Sequence, residues 1–120
     1  MADDLADLIA RLTEATGPDR EIDLDLWRLF GDLPPAVHER WDYQTVPYTA
    51  SVDASLALVE RVLPGKHWSL GWWDEGFRCE FLVFEEGEWW YHAGKGTVGE
   101  APTLPLAILV ALLRAKQATP

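Results

Sequence analysis

The sequence predicts an α+β fold in which a three-stranded antiparallel β-meander is packed between helices, an α-β-α layering. Three observations point there. Apolar residues recur at helical spacing in the first thirty positions and again around 52–63. A middle stretch rich in aromatic and β-branched residues is divided by two acidic, glycine-containing turns. An almost wholly apolar run lies near the C-terminus. The 120 residues suit one hydrophobic core. A single domain over 1–120 is therefore expected, with an acidic helical part at 1–31, an irregular connection at 32–50, and helix, meander and helix at 51–120. With 48% hydrophobic and 25% charged residues, the composition is that of a folding chain, not a disordered one.

The first helix is expected over about 3–15. Asp3 or Asp4 would cap it, Leu5, Leu8, Ile9 and Leu12 would form its buried stripe, and Thr16-Gly17-Pro18 would stop it with Gly17 left-handed. A second helix over 21–30 would bury Ile22, Leu26, Leu29 and Phe30 and turn Asp23, Asp25 and Arg28 to water. The prolines at 34, 35 and 47 interrupt periodicity until a third helix over 52–63, starting near Ser51 or Asp53. Its buried face would be Val52, Leu56, Val59 and Leu63, and Pro64-Gly65 would close it.

The strands read as His67–Trp73, Phe77–Phe84 and Glu88–His92, joined by Asp74-Glu75-Gly76 and Glu85-Glu86-Gly87. Gly94, Gly96 and Gly99 then read as a flexible loop. The last helix, over 103–116, would be capped by Thr103 and carry Pro105 in its first turn. Its residues Leu106, Ile108, Leu109, Val110, Leu112 and Leu113 leave almost no polar face, so it must be covered on most sides. Strand alternation sends Trp72 and Trp73 to opposite faces, and likewise Trp89 and Trp90. Both faces of the sheet are then either covered or adhesive.

Charge narrows the partners. There are 20 acids against 10 basic residues, a formal net charge of -10, and nine of the acids fall before position 33. The basic residues are dispersed, so direct binding to nucleic acid or to an anionic membrane is not expected. The apolar run at 104–113 is too short to span a bilayer. The lone Cys79 and an acidic N-terminus without a secretory pattern point to the cytoplasm.

Catalytic and cofactor chemistry finds little support. Ala93-Gly94-Lys95-Gly96-Thr97 is like the end of a phosphate-binding loop, but it lacks the upstream glycine and the helix that must follow the lysine. His38, His67, His92 and Cys79 have no metal-ligand spacing. Cys79 alternates with Phe77, Phe81 and Val83 on one strand face, the setting of an inert core thiol. No enzyme activity, metal or other cofactor is expected. What remains is a recognition surface: Trp73, Trp89, Trp90 and Tyr91 with the turn acids Asp74, Glu75, Glu85 and Glu86. Large rigid aromatics dominate interface energetics, while the alternative role of each tryptophan is core packing.

Three segments carry a family resemblance: Ala15-Thr16-Gly17-Pro18 after the first helix, Tyr48-Thr49-Ala50-Ser51-Val52-Asp53-Ala54-Ser55-Leu56 opening the third, and Pro102-Thr103-Leu104-Pro105-Leu106-Ala107 opening the last. With the tryptophan-bearing sheet between them, the chain resembles the phage ABA-sandwich domain family of small phage and prophage proteins. It departs from that pattern over 32–46 and in the leucine and valine content of its last helix. The resemblance implies α/β/α layering and a phage context, with no catalytic residues. The function expected is that of a non-catalytic phage or prophage accessory protein acting in the bacterial host cytoplasm. It would bind a host or phage protein and inhibit a host anti-phage complex through an acidic, nucleic-acid-like surface. A small-ligand or nucleotide-signal binder with an aromatic pocket, and a structural or homodimerising protein, are the alternatives.

Overall fold

Two amphipathic helices open the chain in the computed structural model, which describes residues 2–30, 46–65, 67–81 and 97–118. Positions 32–45 of the connection expected over 32–50, and the strand expected over Glu88–His92, lie outside these residues. Helix α1 spans Ala2–Glu14 and buries Leu8 and Leu12, with Leu5 and Ile9 packed alongside. It starts at Ala2, so Asp3 and Asp4 occupy its first turn instead of capping it, where the positive end of the helix dipole favours acids. The Ala15 N–H closes it onto the carbonyls of Arg11 (3.0 Å) and Leu12 (3.3 Å). Gly17 is not left-handed. Among the described residues only Gly65, after the third helix, has positive φ, at 79°, so Pro18 provides the stop.

Helix α2, Arg20–Phe30, is capped by Asp19, whose Oδ1 accepts from the Ile22 N–H at 3.1 Å. Its buried face holds Ile22, Leu26 and Trp27. Asp23, expected to face water, is only 7% exposed. The reason is a tertiary hydrogen bond: its Oδ1 accepts from the backbone N–H of Thr49 at 2.7 Å. The Thr49 hydroxyl in turn accepts from the Asp19 N–H (2.7 Å) and donates to the Asp19 carbonyl (3.2 Å). Three bonds thus tie the start of α2 to the turn that leads into the next helix. Burial pushes the Asp23 carboxyl above the ordinary aspartate range, against the smaller lowering by its bonds to Thr49.

Helix α3, Val52–Val62, has Ser51 as N-cap, with the side chain accepting from the Ala54 N–H at 3.1 Å. The expected buried face is shifted. Ser55, Leu58, Val59 and Leu63 are buried, while Val52 and Leu56 are half-buried. Ser55 tolerates this because its hydroxyl donates to the Val52 carbonyl at 2.9 Å.

Among the described residues the sheet has three antiparallel strands in the order β1 (Trp68–Trp73), β2 (Gly76–Phe81), β3 (Thr97–Ala101). It gives the α+β fold, packed with helices, that the sequence predicts. The segment around Gly99, expected to be a flexible loop, is instead strand β3. Its register sets Gly99 opposite Cys79, which lies opposite Leu70 on β1. Directly opposed residues share a face, and this face meets helix α4, Leu104–Ala118. A Cβ on Gly99 would lie 2.4 Å from both the Ala107 carbonyl oxygen and the Ala111 nitrogen. Only glycine on the strand, facing small residues one helical turn apart, allows backbones this close.

Helix α4 buries every residue from Leu106 to Leu113. It can be apolar all round because β2 and β3 cover one side and α1 and α3 others. Thr103 stands at its N-cap, and its carbonyl accepts from the Ala107 N–H at 3.1 Å. The Thr103 hydroxyl, expected to cap, is buried without a partner among the described residues. Pro105 removes one of the N–H groups such a cap would serve.

Gly99→Ala is expected to destabilise the fold by about 2 kcal/mol or more, measured by urea unfolding. Gly71→Ala, with nothing within 4 Å of the added methyl, should stay within about 0.5 kcal/mol. Asp23 makes a pH prediction. Its folded pKa is raised, so the folded state binds the proton more tightly, and stability falls as pH rises from the unfolded value of 3.8 through the folded one. Asp23→Asn keeps an acceptor for Thr49 and should abolish that fall in a pH series of melts. Asp23→Ala leaves the Thr49 N–H unpaired and should cost about 1–3 kcal/mol at any pH.

Candidate functional site

The β1–β2 hairpin is the part of the described structure that presents an aromatic group to solvent. Its turn is Asp74-Glu75 alone, because Trp73 pairs with Gly76 and brings Gly76 into β2. Gly76 is required there. A Cβ would sit 2.5 Å from the Ala101 carbonyl oxygen, so the hairpin end packs directly on the end of β3. Asp74 and Glu75 are exposed.

Trp72 is 80% exposed. By register it shares a row with Phe77 and Ala101, on the face that meets α4. Helix α4 lies over β2 and β3, however, and the end of the outer strand β1 projects past it. Sequence reasoning chose Trp73 and passed over Trp72. Position along the strand does not single it out, since both tryptophans stand in the last two places before the turn.

Of the other residues expected in the site, Asp74 and Glu75 adjoin Trp72, and Trp73 lies opposite Gly76 in the register. Trp89, Trp90, Tyr91, Glu85 and Glu86 lie outside the described residues. On the face away from α4 the register sets Ser69, Glu80 and Val98 in one row, Gly71, Arg78 and Glu100 in the next, and Trp73 and Gly76 in the last. Arg78 and Glu100 are exposed and directly opposed across β2 and β3. Glu80 is 9% exposed, and its Oε2 has no hydrogen-bond partner among the described residues.

The remaining chemistry is sparse. Cys79 is buried, and its thiol is pushed up to about 12, by burial first and by the neighbouring Glu80 charge second. It stays protonated near neutrality and is a poor nucleophile. No three metal-ligating side chains converge among the described residues. Thr97, which ends the glycine-lysine-glycine segment, opens a strand, so the helix start that cradles phosphate is missing at that point. Between α1 and α2 lies a cleft of about 350 Å³ lined by Asp4, Asp7, Leu8, Arg11, Asp25, Arg28 and Leu29. Its charges are largely satisfied internally: Arg11 Nη1 donates to Asp25 at 2.6 Å and to Asp7 at 3.4 Å, and Arg28 reaches Asp25 at 3.5 Å. No aromatic side chain lines it. No helix among the described residues is long and apolar enough to cross a membrane.

No family model, no curated protein and no solved structure matches the chain.

Because Trp72 makes little use of the core, Trp72→Ser should change unfolding free energy by less than about 0.5 kcal/mol. Loss of stability well beyond that would place Trp72 in the fold and not on its surface.

Proposed function

We propose that this chain is a non-catalytic binding protein whose β1–β2 hairpin docks onto a basic surface of a partner protein. The observation that carries the reading is Trp72, 80% exposed and followed within three positions by two exposed carboxylates. A tryptophan supplies a large rigid apolar contact, and its ring face also attracts a cation. Acids at its rim select a positively charged partner and steer its approach, as does the net charge of -10 on the whole chain. The buried thiol and the internally paired cleft offer no competing chemistry.

The resemblance to phage ABA-sandwich proteins supports one class of partner. Host anti-phage complexes bind nucleic acid in basic grooves, and an acidic surface with an aromatic anchor fits such a groove. The role proposed on that ground is an anti-defence accessory protein in the host cytoplasm. The α1–α2 cleft, lined by acids, arginines and leucines, does not favour an aromatic ligand pocket.

The test is affinity capture from bacterial lysate with the wild-type chain and with Trp72→Ser, at roughly 50 mM and 500 mM salt. A basic protein should be retained at low salt and released at high salt. Trp72→Ser should weaken its binding about thirtyfold, as expected for an interface hot spot. Capture that ignores both salt and Trp72 would contradict the proposal.

A further inference from the structure

The two outer strands of the sheet are treated differently. On β3, Arg114 from α4 donates to the backbone carbonyl of Val98 at 3.0 Å, Glu100 places a charge in the strand, and Pro102 follows its end. Cations, other charges and prolines are the usual means by which an outer strand is kept from pairing further. Strand β1 has none of them. Its six residues, Trp-Ser-Leu-Gly-Trp-Trp, contain no charge and no proline, and among the described residues it pairs on one side only, with β2. Ser69 is exposed, and the space above Gly71 is open.

We propose that the outer edge of β1 takes up an extended, lysine- or arginine-bearing segment of a partner protein as a fourth strand, with Trp72 against one of its cationic side chains. The inference rests on the binding role proposed above and supplies its mode. Backbone hydrogen bonds along β1 provide affinity that does not depend on the partner's sequence, and alternate side chains of the added strand provide selectivity. The charge of the added strand follows from position: Asp74 and Glu75, both exposed, directly continue β1, so a basic residue near that end gains two carboxylates and an indole face. A second copy of this chain is the less favoured occupant. Pairing β1 with itself about Leu70 would set Trp72 against Trp68, but it would also join two chains of net charge -10.

The experiment is an NMR titration of the isotope-labelled chain with three end-capped peptides: one alternating lysine with valine, the same peptide with alternate backbone nitrogens methylated, and one with glutamate replacing lysine. The lysine peptide is expected to shift the outward-facing backbone amides of Leu70 and Trp72 and the Trp72 indole, with half-saturation at about 1 mM or below. Methylation, which deletes the donors on one edge of the peptide, should weaken binding at least about tenfold, and the glutamate peptide should not bind. If methylated and unmethylated lysine peptides bind equally, the edge inference is overturned while the hairpin keeps its role as a side-chain binding site. If neither lysine peptide binds, both readings fail. If the chain alone doubles in mass by sedimentation equilibrium, and Trp72→Ser restores the monomer, the edge belongs to a second copy and the basic partner is overturned.

Discussion

The close approach of Gly99 to helix α4 is the contact on which the rest of the structure depends. With Cβ-free backbone on the strand and Ala107 and Ala111 on the helix, the sheet can lie nearly on the helix backbone. That proximity lets one fifteen-residue helix serve as the centre of the molecule. Its remaining surface is taken by α1 and α3, so eight successive residues are buried without a polar face. In a chain of this size, one element buried on nearly all sides supplies a large share of the apolar area removed from water. The Asp19–Asp23–Thr49 bonds then hold α2 to the segment entering α3, a polar tie at the edge of that core.

The same contact decides what is left outside. Because α4 sits over β2 and β3, the sheet is covered asymmetrically, and the strand furthest from the helix carries the exposed tryptophan and an edge that is unpaired among the described residues. Arg114 belongs to this asymmetry too, since it reaches from α4 to β3 and not to β1. The candidate site is therefore a by-product of the packing: a rigid hairpin held at its far end by Gly76 against Ala101, projecting an indole and two carboxylates. A site built on a strand pair presents its groups with little conformational freedom to lose on binding.

Much of the fold was legible because helices announce themselves locally. The apolar stripe of α1, the Ser51 cap, the Pro64-Gly65 stop and the apolar length of α4 are all short-range patterns, and each led to an element within a few residues of its place. What was not legible depends on contacts between distant residues. Thr97–Ala101 reads as loop because it contains a glycine, yet that glycine is there for a helix that begins five residues later and folds back over it. Asp23 reads as solvated because it is an acid in an amphipathic helix, and nothing local reveals that the Thr49 N–H, 26 positions on, will be its partner. In the site, the composition of the hairpin was readable and Asp74 and Glu75 stand exposed as their turn position implied. That Trp72 stands exposed was not readable, because it depends on how far α4 extends across the sheet.

The account reduces to the statement that, among the described residues, the sheet is pinned to α4 on one side and open at β1 on the other. Residue-resolved amide hydrogen exchange tests this most directly. The account predicts that the amides of β2 and α4, with those of β3 that are bonded to β2, exchange together at the slowest, globally limited rate. Along β1 protection should alternate, slow for amides bonded to β2 and faster by orders of magnitude for those facing outward. Uniform slow exchange along β1, or faster exchange of the β2-bonded amides in β3 than of those in β1, would contradict it.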